Sequence, residues 1–333
     1  MYFSTTNLIQ MKQIFNTAIF GFLLLYSCDH STKIDVSNVT PGIQVSHFDK
    51  DFFSMDSLNL SEDLSLLRQS YPEFFRISQD DETLFDRYFD TQIRELVSYS
   101  DSIFPDIENL NEQLFRAFQY FYYYFPNHEN IKIYTWISNF ESLDPILVSG
   151  NTILIALDMY LGSSSDFYKT APDYIRYGLD RKFILSDLYY YYFSSHIPLS
   201  DDNSLLASML HYGKIHYLTS KMLPISSQDV IMKYPKQKMD WCVQNESDIW
   251  AYFIDNRLLF SNNQQNKQRF IDDAPFSIFH TTFDGDTPGR VGQWLGWRII
   301  SSYMKNNSEI NLLDLIREDD FQKILRESHY KPK

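Results

Sequence analysis

The sequence predicts an α+β protein, mainly α, with a small, mostly antiparallel sheet. Apolar residues recur every three and four positions over most of the chain, and β-branched alternation is confined to residues 131–157. In addition, 27 Phe and 24 Tyr stand against only 10 Gly and 12 Pro. That much aromatic surface has to be buried, which excludes disordered and collagenous classes. At 333 residues the chain can bury a core that needs no disulfide or metal. Its 29 basic and 43 acidic residues give a formal net charge of -14, without the cationic surplus that phosphate neutralisation requires, so nucleic acid is not an expected partner.

At the N-terminus, Lys12 precedes an apolar run from Ile14 to Leu25 that stops at Tyr26, Ser27 and Cys28. The run is shorter than the about 20 apolar residues of a spanning helix and has signal-peptide form. Residues 1–27 are therefore expected to be a signal peptide, with Met11 as a second candidate start. Leu25 lies three residues before Cys28 and Ser27 directly before it, the spacing of a bacterial lipoprotein signal, although Tyr26 departs from the usual small residue. Cys28 is the expected lipid (palmitate) attachment site. Its acylation leaves Cys242 as the one remaining cysteine, so no intramolecular disulfide is expected, and the apolar setting of Cys242 reads as a buried, inert thiol. Polar residues 28–42 suit a lipidated tether, and residues 43–333, without a long Gly-, Ser- or Pro-rich break or a repeat, are expected to form a single domain.

Helical periodicity marks 60–69, 82–100 and 110–125, where Leu110, Leu114, Ala117, Phe118 and Phe121 form one stripe. In 131–140, Ile131, Ile133 and Thr135 alternate with Lys132, Tyr134 and Trp136, and the turn residues Ser149, Gly150 and Asn151 join two apolar runs into a hairpin. Helices are expected again over 174–193, 204–223, parts of 227–261, 288–305 and 312–327. The helix over 288–305 opens on Thr287 as cap and Pro288 in its first turn. Gly292 and Gly296, four apart, share a face on which another backbone can approach closely, so this helix is expected to cross the core.

A strand followed by a long helix is also the layout of zinc peptidases, but no two of the eight histidines are spaced by four, as two ligands on one helix face require. His211 and His216 are five apart, about 140° around a helix. There is no Gly-x-Ser-x-Gly elbow and no Gly-rich phosphate loop, and Asp284, Gly285 and Asp286 read as a turn. No catalytic, metal or cofactor site is therefore expected.

Several stretches resemble the gliding-motility lipoprotein GldB family of Bacteroidota, from the lipoprotein signal to the last residue. They are Phe48 to Phe53, Ile153 to Gly162, Gly213 with Lys214, Trp241 with Cys242, and Ile249 to Ile254 around Trp250. Residues 269–271 with 274–276, 302–307 and the stretch Pro288, Gly289, Arg290, Gly292, Trp294, Gly296 and Trp297 belong with them. The family is similar in layout to predicted zinc peptidases, so the resemblance implies a zincin-like scaffold without its metal, these motif residues serving structure or an interface. It further implies a cell-envelope lipoprotein, anchored on the periplasmic side of the inner or outer membrane, required for gliding and associated with type IX secretion machinery, and no enzyme. The alternatives are a zinc metallopeptidase with unconventional ligands, Asp180, Asp187, His211 and His216, and a ligand-binding module built on the aromatic run 189–193.

Overall fold

A computed structural model describes residues 34–77, 80–142, 144–282 and 284–332. The expected signal peptide and Cys28 lie outside them. The chain divides into a unit of residues 1–38, of which 34–38 are described, and a unit of residues 39–333. The larger unit begins with β1 (Ile43–His47), α1 (Phe48–Phe53), α2 (Leu60–Ser70), a 3-10 turn at Phe74–Ile77, α3 (Asp81–Phe89), α4 (Thr91–Ile103) and α5 (Ile107–Tyr124). Next come β2 (Ile131–Trp136), β3 (Ile146–Ser149) and β4 (Thr152–Ala156). The remainder is helical: α6 (Asp173–Arg176), α7 (Ile184–His196), α8 (Leu205–Met222), α9 (Gln228–Met232), α10 (Lys236–Gln244), α11 (Glu246–Asp255) and α12 (Gln264–Phe270). The last three helices are α13 (Val291–Asn306), α14 (Leu312–Arg317) and α15 (Phe321–Ser328).

Local chemistry sets the boundaries that periodicity misses. The Asp90 carboxylate accepts from the N–H groups of Gln92 and Ile93, so the stretch expected as one helix over 82–100 is cut into α3 and α4. Asp180 accepts from the Lys182 N–H and opens a 3-10 turn, which separates α6 from α7 within the expected helix over 174–193. The Thr287 hydroxyl, expected as a helix cap, bonds Ser277 instead: it accepts from the Ser277 N–H at 3.0 Å and donates to the Ser277 carbonyl at 2.9 Å. The last long helix therefore starts later, at Val291, with Arg290 as its cap residue in left-handed conformation at φ 58°.

The chain is α+β and mainly α, as expected. The sheet, however, is mixed and not mostly antiparallel: its order is β1-β2-β4-β3, with β1 parallel to β2, β2 parallel to β4, and only β3 and β4 antiparallel. The reason is topological. The hairpin forms as its turn predicts, but the chain leaving β2 skips one position before running back as β3, so β4 returns between them in the direction of β2. β1, not recognised from the sequence, reaches β2 only through the helices α1 to α5, and such a crossover gives a parallel pair.

Strand alternation divides the interior. Ile131, Ile133, Ile153 and Ile155 face the main core with α5, α7, α8 and α13, while Tyr134, Trp136 and Leu154 face a smaller aromatic cluster with α1, α2 and α3. The centre of the main core is the crossing of α8 and α13, where Gly213 and Gly296 bring the two backbones together: a Cβ on Gly296 would run into the Met209 carbonyl, and one on Gly213 into the Gly296 carbonyl. Gly292, on the same face of α13, packs instead on the end of α12, where a Cβ would lie 2.8 Å from the Phe270 carbonyl oxygen.

Candidate functional site

Asp187, in the first turn of α7, is buried in the wall of a polar cleft of about 360 Å³ between α7, the C-terminus of α9 and the start of α13. The Lys233 ammonium lies 2.9 Å from its Oδ1 and 3.0 Å from its Oδ2, and the buried Tyr160 hydroxyl donates to Oδ2 at 2.9 Å. Burial pushes the Asp187 carboxyl up from its usual range, which the Lys233 charge and the two hydrogen bonds oppose. Arg290 forms the second cationic point: Nε lies 2.9 Å from Asp273 Oδ1, and Nη2 donates to the Met232 carbonyl at 2.9 Å.

Lys233 and Arg290 share an uncommon backbone state. Lys233 caps α9 at φ 52° and Arg290 caps α13 at φ 58°, both left-handed, where a side chain with a Cβ is strained. Each is held by packing. The Lys233 stem passes so close to Gly178 that a Cβ there would lie 2.8 Å from Lys233 Cε, and the Arg290 guanidinium stands over the Tyr234 ring at 5.5 Å. Strain at these two positions points both cations into one cleft.

The deepest group is His216 on α8, 1% exposed. Its Nε2 lies 2.9 Å from Gln293 Oε1, while the Gln293 amide donates to the Ile271 carbonyl at 2.8 Å. The glutamine oxygen is thereby the acceptor, so Nε2 carries the proton and the buried Nδ1 lone pair has no partner. Burial pulls the imidazole down to about 4. His211, buried nearer Lys214, is likewise pulled down to about 4, first by burial and then by the lysine charge. Because the folded values lie below the unfolded 6.5, the unfolded chain binds more protons between about pH 6.5 and 4, and both histidines make stability fall on acidification. His216→Asn should therefore lose about 2 kcal/mol less than the parent between pH 7 and 5 in denaturant titrations. An unchanged difference would show His216 to be protonated in the fold.

The sequence-derived candidates separate. Asp187, His216 and Arg290 line the cleft, whereas Asp180 caps the turn before α7 and lines other pockets, and His211 is not part of the cleft wall. The four residues of the metallopeptidase alternative thus do not converge, and among the described residues no group of three His, Cys, Asp or Glu is placed to hold a metal ion. The run 189–193 is divided by its helix: Tyr189, Tyr192 and Phe193 are core, and Tyr190 and Tyr191 form a cleft wall. Lys233 and Asp273 were not singled out from the sequence, and Tyr160 was named only as part of the stretch Ile153 to Gly162. The signal for Lys233 was a short helix ending just before Pro235, a place where left-handed caps occur.

The remaining motif residues take part in packing and hydrogen bonding within the fold. Pro288 and Gly289 are buried, Tyr234 donates to the Gly289 carbonyl at 2.5 Å, and a Cβ on Gly289 would meet the Ala274 backbone. Lys214 is buried and donates to the Glu318 carbonyl, tying α8 to the segment between α14 and α15; burial pulls it down to about 8. Trp294 is fully buried, Trp297 lies beside His216, and Trp241 and Trp250 pack on Phe279 and Tyr330. Cys242 is buried and its thiol pushed up by desolvation. Asp284 accepts from the N–H groups of Phe279, His280 and Thr281 and so closes its own turn.

A sequence profile for the family described as gliding motility protein GldB matches residues 29–332, a span that contains the cleft and the helix crossing. No curated protein and no solved structure matches the chain, and the likeness to zinc peptidases finds no support there.

Proposed function

Because the chain belongs to the family of gliding motility protein GldB, we propose that it acts as a non-catalytic assembly or stabilising factor beside the type IX secretion machinery, held at the membrane by lipid on Cys28. Membership supports a role in gliding motility and, with the lipoprotein signal read at Cys28, a place in the cell envelope. Among the described residues no helix is long and apolar enough to cross a membrane. The partners in this reading are the membrane, through the acyl anchor, and envelope proteins of the gliding and secretion machinery.

The observation that supports a non-catalytic role is the mutual commitment of the cleft groups. Asp187 answers Lys233 and Tyr160, Arg290 answers Asp273 and the Met232 carbonyl, and His216 answers Gln293. A general base or nucleophile needs an acceptor lone pair aimed at substrate; the charged pairs here are spent on each other, and the one unpartnered lone pair among the cleft groups named above, His216 Nδ1, is buried on an imidazole whose basicity burial lowers. They join α7, α9 and α13 across the cleft, which suits a rigid scaffold.

The anchor is tested in a strain lacking the gene and carrying Cys28→Ala. The expected result is loss of acyl-lipid labelling, release from the membrane fraction or arrested processing, and loss of colony spreading. Membrane recovery and labelling equal to the parent would overturn the proposed anchor.

A further inference from the structure

The stretch Phe48 to Phe53 has no part in the cleft or the helix crossing. Its residues Phe48, Phe52 and Phe53 join Phe74, Phe75 and Trp136 around a separate cavity of about 170 Å³, between α1, the 3-10 turn after α2 and the outer face of the sheet. Phe48 stacks on Phe74 with ring centroids 3.8 Å apart, and Phe74 meets Trp136 edge to face at 5.9 Å. Such rings present negative faces, and two of them already attract cations from outside: Arg68 lies 4.6 Å from the Phe75 centroid and Arg94 6.0 Å from that of Phe53.

Two charged residues belong to the wall. Arg87 is neutralised, with Nη1 at 3.0 Å from Glu141 Oε2 and Nη2 donating to the Ile137 carbonyl at 2.8 Å. Asp49 is 3% exposed and makes no ion pair among the described residues. Its Oδ1 accepts from the Thr135 hydroxyl, which His47 Nδ1 meets at 3.0 Å, while neighbouring Lys50 is paired with Asp101. Asp49 lines a cavity that six aromatic rings also line, and burial raises its carboxyl because no cation pairs with it directly, so a cation on an apolar stem would supply the missing partner. From the aromatic cavity and the Asp49 carboxyl in its wall, we propose that this is a binding site for an organic ammonium group, either a free alkylamine or the lysine side chain of a polypeptide.

The test titrates the full-length, detergent-solubilised chain by ligand-observed NMR with n-butylammonium and its neutral counterpart n-butanol. The ammonium is expected to bind roughly tenfold more tightly, and Asp49→Asn to erase that margin while leaving butanol binding in place. Should Asp49→Asn fail to fold, Leu147→Trp serves, because Leu147 lies at the rim and is 37% exposed, so a larger side chain narrows the mouth without entering the core. Leu147→Trp is expected to remove binding of both compounds. Adding Nα-acetyl-lysine N-methylamide separates the sources: its binding assigns the site to a polypeptide lysine, and its exclusion beside bound butylammonium assigns it to a free amine. Equal affinity for amine and alcohol, a margin that survives Asp49→Asn, binding unaffected by Leu147→Trp, or no binding of either compound at millimolar concentration overturns the proposal.

Discussion

Gly296→Ala should lower the stability of the chain by more than about 3 kcal/mol, a large effect for one added methyl group. The position is buried in the middle of α13, and the new Cβ would meet backbone, the Met209 carbonyl of α8, with no flexible side chain to yield. Alanine favours an isolated helix over glycine by up to about 1 kcal/mol, so a propensity argument predicts the opposite sign. Gly285→Ala is the control, because a Cβ there meets nothing within 4 Å. Denaturant unfolding of both variants decides the matter. If Gly296→Ala unfolds near the Gly285→Ala midpoint, the two helices do not cross in contact at the centre of the main core.

The second large effect concerns the ion pair. Lys233→Met removes the direct counter-ion of Asp187, whose carboxylate is 3% exposed on its side chain and retains the Tyr160 hydroxyl and the charge of Arg290. Breaking a buried pair on one side costs about 3–5 kcal/mol, and because the Lys233 side chain is 23% exposed the lower end is expected. Replacing both partners with apolar residues of similar size leaves no charge behind. Asp187→Leu combined with Lys233→Met should therefore recover most of the loss, a coupling readable from a double-mutant cycle in denaturant. A Lys233→Met chain within about 0.5 kcal/mol of the parent would mean that Asp187 is protonated and no ion pair exists.

The fold class was legible because burial of so many aromatic and aliphatic residues imposes a 3.6-residue period on long helices such as α5, α8 and α13. The Gly292 and Gly296 spacing was also readable, as glycine inside a helix demands a close neighbour; which neighbour it has depends on tertiary contacts, and the two glycines meet different ones. β1 escaped notice because it is five residues long and only half-buried, so its pattern hardly differs from that of an extended linker. Sheet polarity escaped for the same reason, since it depends on where β1 and β3 are inserted. In the cleft, Asp187, His216 and Arg290 could be named from the sequence, but Lys233 and Asp273 reach them from segments 46 and 17 residues away along the chain. Such pairings leave no spacing signature.

The most direct measurement is gliding by cells whose only copy of the gene carries Asp187→Leu with Lys233→Met, compared at equal protein level with the parent and with the Cys28→Ala strain. Cell movement and colony spreading at the parental rate are the expected result, because the cleft charges serve the scaffold. Cells that accumulate the doubly substituted protein in the envelope and do not move would contradict a non-catalytic role and place the Asp187 and Lys233 pair in the working chemistry of the protein.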